Sequence, residues 1–141
     1  MKLYVDTWGW LALADRADPR HADAARLYTE RAARPGQIVT SDFVLDETFT
    51  VLFRRRPFPE AWQFAQAILE SAGSKFLLVE RVTGVRFRRA LDMRKRLADQ
   101  PRLSFTDLTT IIIMQELRLK DILTADTGFE EASLGFRRLP G

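Results

Sequence analysis

Apolar positions along this chain alternate between short unbroken runs and longer stretches with helical spacing. Leu3, Tyr4 and Val5 form the first run, which reads as a buried strand over Lys2–Val5 closed by Asp6. Trp8, Trp10, Leu11 and Leu13 then space out a helical turn or two, broken by the polar stretch from Asp15 to Asp18. Asp18 as a cap, with Pro19 at the first helical position, predicts the next helix. Its buried side would carry Ala22, Ala25, Leu27 and Tyr28 until Pro35 and Gly36 stop it. Ile38 and Val39 make a second strand, and Thr40 with Ser41 opens a helix over Phe43 to Phe53. Arg54, Arg55, Arg56, Pro57 and Pro59 mark a break before a helix from Glu60 to Ser71 that ends at Gly73. Phe76–Val79 is a third strand, followed by a basic helix from Gly84 to Ala98 with Val85, Phe87, Leu91 and Leu97 facing inward.

The stretch from Leu103 to Phe129 is the most informative. Ser104 followed three residues later by Asp107 is a short capping box, which places Asp107 in the first turn of a helix carrying Leu108, Ile111, Ile112 and Gln115 onward to Leu119. After the charged turn Arg118–Asp121, the run Ile122–Thr124 reads as a buried strand with Asp126 just past its end, and a last short strand falls near Phe136–Leu139. Strands alternating with helices predict a three-layer α/β/α domain: a parallel sheet of about four to five strands, helices on both faces and right-handed crossovers. No internal repeat or linker divides the chain, so residues 1–141 are expected to form one domain.

Composition narrows the chemistry. With 46% hydrophobic residues among 141, the chain has enough apolar surface for a core without staples. It has no cysteine, which excludes a disulfide framework and a thiolate metal site and fits a reducing cytoplasm. Any metal would be held by oxygen or by His21. Asp6 interrupts the apolar amino terminus and no cleavage pattern follows, so a signal peptide is not expected, and no run is long enough to span a membrane. The net charge is only +3, but Arg81–Arg102 holds eight basic residues against Asp92 and Asp99, a local +6 that leaves −3 elsewhere. That imbalance suits carboxylates gathered at one place and a polyanion on a neighbouring face, with Arg86, Arg88, Arg89, Arg94 and Lys95 as candidate phosphate contacts; a merely solvated helix face has the same composition.

Asp107 at a helix start and Asp126 in an Asp-Thr-Gly turn are each ordinary alone. They gain meaning because Asp6 ends the first strand and a further acid opens the helix after the second, at the sheet edge where open parallel sheets bind ligands. Glu47 interrupts the apolar stripe of Val44 and Val51, an inward position that is costly for a carboxylate without a partner. Asp46 is its rival; it shares a face with Asp42, and that pair reads as solvent-facing. Clustered carboxylates repel one another, and oxygen-only ligands suit Mg²⁺, with Mn²⁺ as a substitute.

Taken together, YVDTWGWLALADRADPRHADA at the start, VLDE at 44–47, LSFTD at 103–107 and LTAD followed by GF at 123–129 resemble the PIN-domain ribonucleases, and within them the VapC toxins of toxin–antitoxin pairs. The resemblance spans nearly the whole chain. It implies that the family's acidic quartet falls on Asp6, Glu47, Asp107 and Asp126, so deciding for Glu47 over Asp46, with supporting hydroxyls at Thr7, Thr106 and Thr124. It further implies a magnesium-dependent endoribonuclease that attacks with metal-activated water and leaves a 5′ phosphate, a homodimer, and a small VapB-like antitoxin whose tail crosses the groove. One departure stands out: Trp8 occupies a position where these toxins often have a small polar residue.

Two rivals accompany that expectation. In one, Trp8 has spoiled the site and the domain binds RNA or a partner without turnover. In the other, the sheet carries a phosphoacceptor Asp, but neither DTW nor TAD supplies the Lys such sites use. His21 is expected to make a local loop contact rather than to ligate metal. Phe49, Phe53, Trp62 and Phe64, at helical spacing, are expected in the core rather than in a partner groove.

Overall fold

The structure is a computed structural model that describes residues 1–132 and 134–141. Five parallel strands form its sheet in the order β3-β2-β1-β4-β5, with β1 (Leu3–Val5) central, β2 (Ile38–Ser41) and β3 (Leu77–Glu80) to one side, and β4 (Asp121–Leu123) and β5 (Arg137–Leu139) to the other. All residues of β1, β2 and β4 are buried, which is why these strands read as unbroken apolar runs rather than as alternating ones. The expected parallel α/β architecture is therefore present.

The chain winds outward from β1 through β2 to β3, then crosses back to β4 on the far side. The crevice between the carboxyl ends of β1 and β4 is thus a switch point, where an α/β sheet leaves room for a ligand. Around the sheet lie α1 (Thr7–Ala14), α2 (His21–Arg31), α3 (Asp42–Arg55), α4 (Phe58–Gly73), α5 (Gly84–Arg96), α6 (Phe105–Leu117) and the short α7 (Gly128–Glu131). Leu108 through Met114 of α6 are buried without interruption, so the middle of this helix is enclosed on all sides while its last turn, Gln115–Leu117, is exposed. Leu108, Ile111, Ile113 and Met114 are fully buried, each contributing about 1.5–3 kcal/mol of apolar transfer.

Several local expectations are corrected. Asp18 and Pro19 do not start α2, whose cap is Arg20: the Asp18 carboxylate closes a turn on Arg20 N at 2.8 Å, and the helix begins at His21. Ala22 is exposed, and Ala24 is the buried residue of that helix. Arg54 and Arg55 are the last turn of α3, not a break. Pro57 ends the helix by pushing Arg56 into an extended conformation, and α4 starts at once with Phe58 and Pro59 in its first turn. On α5 the expected inner face is rotated: Ala90 and Met93 are buried, whereas Val85, Phe87 and Leu91 are 63%, 47% and 46% exposed. Only Leu97 of the four named residues packs on the core.

Asp121, assigned by sequence to a charged turn, is instead the first residue of β4 and is buried. Arg137 clamps it with two bonds of 2.9 Å and Arg31 adds a third of 2.8 Å, which holds the carboxyl below its ordinary range. Asp42 is not solvent-facing either: its Oδ1 accepts from Phe43 N and from Val82 N, tying the start of α3 to the loop after β3, while Asp46 is exposed as expected. Phe49 and Phe64 pack on the core, but Phe53 and Trp62 join Phe58 in a surface cluster, Trp62 stacked on Phe58 at 5.9 Å.

Candidate active site

Asp6 follows the central strand and caps α1, its Oδ1 accepting from Gly9 N at 2.9 Å. Gly9 is required there by packing: a Cβ would stand 2.3 Å from the Leu123 carbonyl and 3.0 Å from Val5 Cγ1. That close approach seats the first turn of α1 against β4, and Asp6 N donates to the same carbonyl, at 3.3 Å. Sequence reasoning missed Gly9, although a glycine inside a predicted helix is itself a sign of such an approach.

Asp107 lies in the first turn of α6, in the expected capping box. Ser104 Oγ accepts from Asp107 N at 3.0 Å, and Asp107 Oδ2 accepts from Ser104 N at 2.9 Å. Asp126 follows β4 and turns the chain into α7, its Oδ1 accepting from Gly128 N at 2.8 Å. Thr124 joins two of the acids: its hydroxyl donates to Asp6 and accepts from Asp126 N at 3.0 Å. Glu47 is half-buried on α3.

The charges of these four acids reach one another. Burial pushes the Asp6 carboxyl up to about 8, against the pull of Thr124 and Gly9, and the negative charges of Asp107 and Asp126 raise it further. Burial likewise raises Asp107 to about 6, with Asp126 and Glu47 adding to the rise and the Ser104 amide opposing it. A cluster that resists full ionisation in this way favours protons or cations. Thr7 adds a buried hydroxyl next to Asp6 that has no hydrogen-bond partner among the described residues. The donors are all oxygen, the set that suits a hard divalent ion. Among the described residues, no three His, Asp or Glu side chains are already disposed around a common metal position. Fit to a cation therefore rests on charge and donor chemistry. The Thr106 carbonyl accepts from the Thr109 hydroxyl within α6.

The candidate phosphate contacts divide into two groups. Arg86 is held between Glu80 at 3.0 Å and Glu116 at 3.3 Å, and Arg94 donates to the carbonyls of Leu97, Gln100 and Leu103. Arg88 and Arg89 are exposed and make looser pairs of 3.4 Å with Asp92 and Glu116, and Lys95 is also exposed. His21 sits away from the acids, its Nδ1 2.9 Å from the Ala12 carbonyl across the loop, the local contact expected of it.

A family model described as "PIN domain" matches residues 3–134. The chain belongs to the PIN-domain family. It is 33% identical over 130 residues to the 23S rRNA-specific endonuclease VapC20 of Mycobacterium tuberculosis, covering 92% of this chain and 93% of VapC20. The crystal structure of VapC20, described as a Sarcin-Ricin loop cleaving toxin, matches with a TM-score of 0.81 at 32% identity over 96% of this PIN domain and 97% of that chain. The DNA-bound VapBC structure from Salmonella typhimurium matches at TM-score 0.65 over 98% and 96% of the two chains, and at 17% identity it shows a shared fold.

Proposed function

We propose that this PIN domain is a Mg²⁺-dependent endoribonuclease, the toxin of a VapBC-like pair, acting at Asp6, Glu47, Asp107 and Asp126. The observation that carries the reading is the placing of Asp6 just after β1 and Asp126 just after β4, with Asp107 in the first turn of α6, so that the charges of Asp107 and Asp126 reach Asp6 and those of Asp126 and Glu47 reach Asp107. The family match and the resemblance to VapC20, a 23S rRNA endonuclease, support it.

The four carboxylates would hold the ion. Once bound, a hard divalent cation lowers the pKa of coordinated water and polarises a phosphodiester. The chain's own contribution is orientation. Ser104 fixes the Asp107 carboxylate, Gly9 and Thr124 fix Asp6, and Gly128 with Thr124 fixes the turn that carries Asp126. Arg88, Arg89 and Lys95, exposed on α5, are free to turn toward a polyanion; Arg86 and Arg94 would have to leave internal partners to do so. The reading includes a homodimer and a small antitoxin as inhibitor. No helix among the described residues is long and apolar enough to cross a membrane. The proposed setting is the cytoplasm, where ribosomal RNA lies.

The test is cleavage of sarcin–ricin loop RNA, and of a mixed cellular RNA pool, by the purified chain in Mg²⁺ or Mn²⁺, in chelator, and as Asp107→Asn. Metal-dependent fragments that vanish in the variant are expected. RNA that is retained but stays intact, with no copurified antitoxin, would replace this reading by a binding module without turnover.

A further inference from the structure

Trp8 breaks the burial pattern of its segment. Thr7, Gly9 and Trp10 are buried, yet 46% of Trp8 lies open to solvent. The Arg55 guanidinium stands 5.9 Å from its ring centroid, within cation–π range. Between them opens a cleft of about 150 Å³ with Leu11 and Leu52 as apolar walls and Asp15 and Arg56 at its polar side. Both elements lead to the acids: Asp6 caps α1, and Glu47 lies on α3 eight residues before Arg55, about 12 Å along the helix. Exposed indole and guanidinium planes are the groups on which proteins stack the unpaired bases of single-stranded RNA.

We propose that Trp8, backed by Arg55, is a stacking platform for an unpaired nucleobase of the RNA substrate, a nucleotide or two from the scissile phosphate. The inference rests on the ribonuclease reading and adds to it the path of the strand: outward from the acids between α1 and α3, toward the exposed Arg54 and Arg55 rather than along α5 alone. A planar π face with a cation behind it suits any base, so this platform would give grip and register more than sequence choice.

Trp8→Ala and Trp8→Phe are compared with the unaltered chain in two measurements. One is binding, in chelator, to fluorescein-labelled sarcin–ricin loop RNA and to copies with one loop nucleotide made abasic; the other is KM and kcat in Mg²⁺. Stacking on this scale predicts that Trp8→Ala weakens binding about 5- to 150-fold and raises KM more than it lowers kcat, while Trp8→Phe keeps most of the affinity. One abasic position should cost the unaltered chain a similar factor and cost Trp8→Ala nothing further. Binding by Trp8→Ala within about twofold of the unaltered chain would overturn the platform, with cleavage still upholding the nuclease. RNA held through Trp8 but never cut would uphold the platform and overturn the nuclease. An unaltered chain that neither binds nor cuts this RNA overturns both.

Discussion

Ser104 and Asp107 hold each other reciprocally, hydroxyl to amide at 3.0 Å and carboxylate to amide at 2.9 Å. The carboxylate proposed as a metal ligand is therefore also the lock on the first turn of α6. Its two roles separate by substitution. Asp107→Asn keeps an acceptor for Ser104 N and removes a charge that its neighbours oppose, so it should abolish cleavage while changing stability by less than about 1 kcal/mol. Ser104→Ala should cost about 1 kcal/mol and only reduce cleavage. Thermal melts beside rate measurements decide; equal loss of activity in both variants would mean that the cap, not the charge, is what matters at Asp107.

The acid cluster gives the metal-free protein an unusual pH response. Asp6 and Asp107 titrate near 8 and 6 when folded, against an ordinary 3.8. The folded state thus holds protons that the unfolded chain has released. Their favourable contribution is complete below about pH 4 and is lost as the pH rises through about 6 and then 8. Melting temperature in chelator should fall from mildly acidic to mildly basic solution, and Asp6→Asn should flatten the fall. Added Mg²⁺ should raise the melting temperature most at the basic end. Asp121 titrates in the opposite sense, below the ordinary carboxylate range and outside this window. A chelated protein whose melting temperature is level across that range would remove the electrostatic basis for the site.

Arg94 and its neighbours on α5 should respond differently to substitution. Arg94→Ala strips donors from three loop carbonyls and should cost about 2–3 kcal/mol in denaturant melts. The triple variant Arg88→Ala, Arg89→Ala, Lys95→Ala should leave stability within about 1 kcal/mol, since its pairs are exposed. It should instead make the salt dependence of RNA binding shallower, by about 0.7 in the log–log slope for each phosphate that is no longer neutralised. An unchanged slope would leave α5 as a solvated face.

Gly9 is the strictest backbone position of the site. Gly9→Ala would drive a methyl into the Leu123 carbonyl, now 2.3 Å from the Cβ position, and should cost about 1–3 kcal/mol by overpacking. Because Gly9 N also holds Asp6, cleavage should fall by more than the loss of folded protein explains. A variant with wild-type melting temperature would show that α1 can lift from β4 freely.

The strands and the places of Asp6, Asp107 and Asp126 at element ends were legible because each rests on a local signal: an unbroken apolar run, a capping box, a turn sequence after a strand. What escaped was set by neighbours distant in sequence. Asp121 looks like turn chemistry until Arg31 and Arg137, 90 residues before it and 16 after it, close on it. The face of α5 was misjudged because its apolar residues outnumber the places against the core. Ala90 and Met93 take those places, while Phe87 meets Phe43 and Phe105 at the surface. Phe53 and Trp62 were assigned to the core on helical spacing, which does not register that Phe58 gives them a partner outside it. The choice of Glu47 over Asp46 came from the family pattern, not from the helical wheel.

The central position of β1 has a consequence in time. Its outer neighbour β4 begins at Asp121, so the pairing Leu3↔Asp121 closes a loop of well over a hundred residues. Such a contact forms late, because its closure entropy precedes any reward from packing. As the ribosome extends the chain, Asp6 and Glu47 emerge early but wait for Asp107 and Asp126. No nascent fragment short of β4 can assemble the cluster. If the chain is the nuclease proposed above, its activity begins only after β4 has been made and paired with β1.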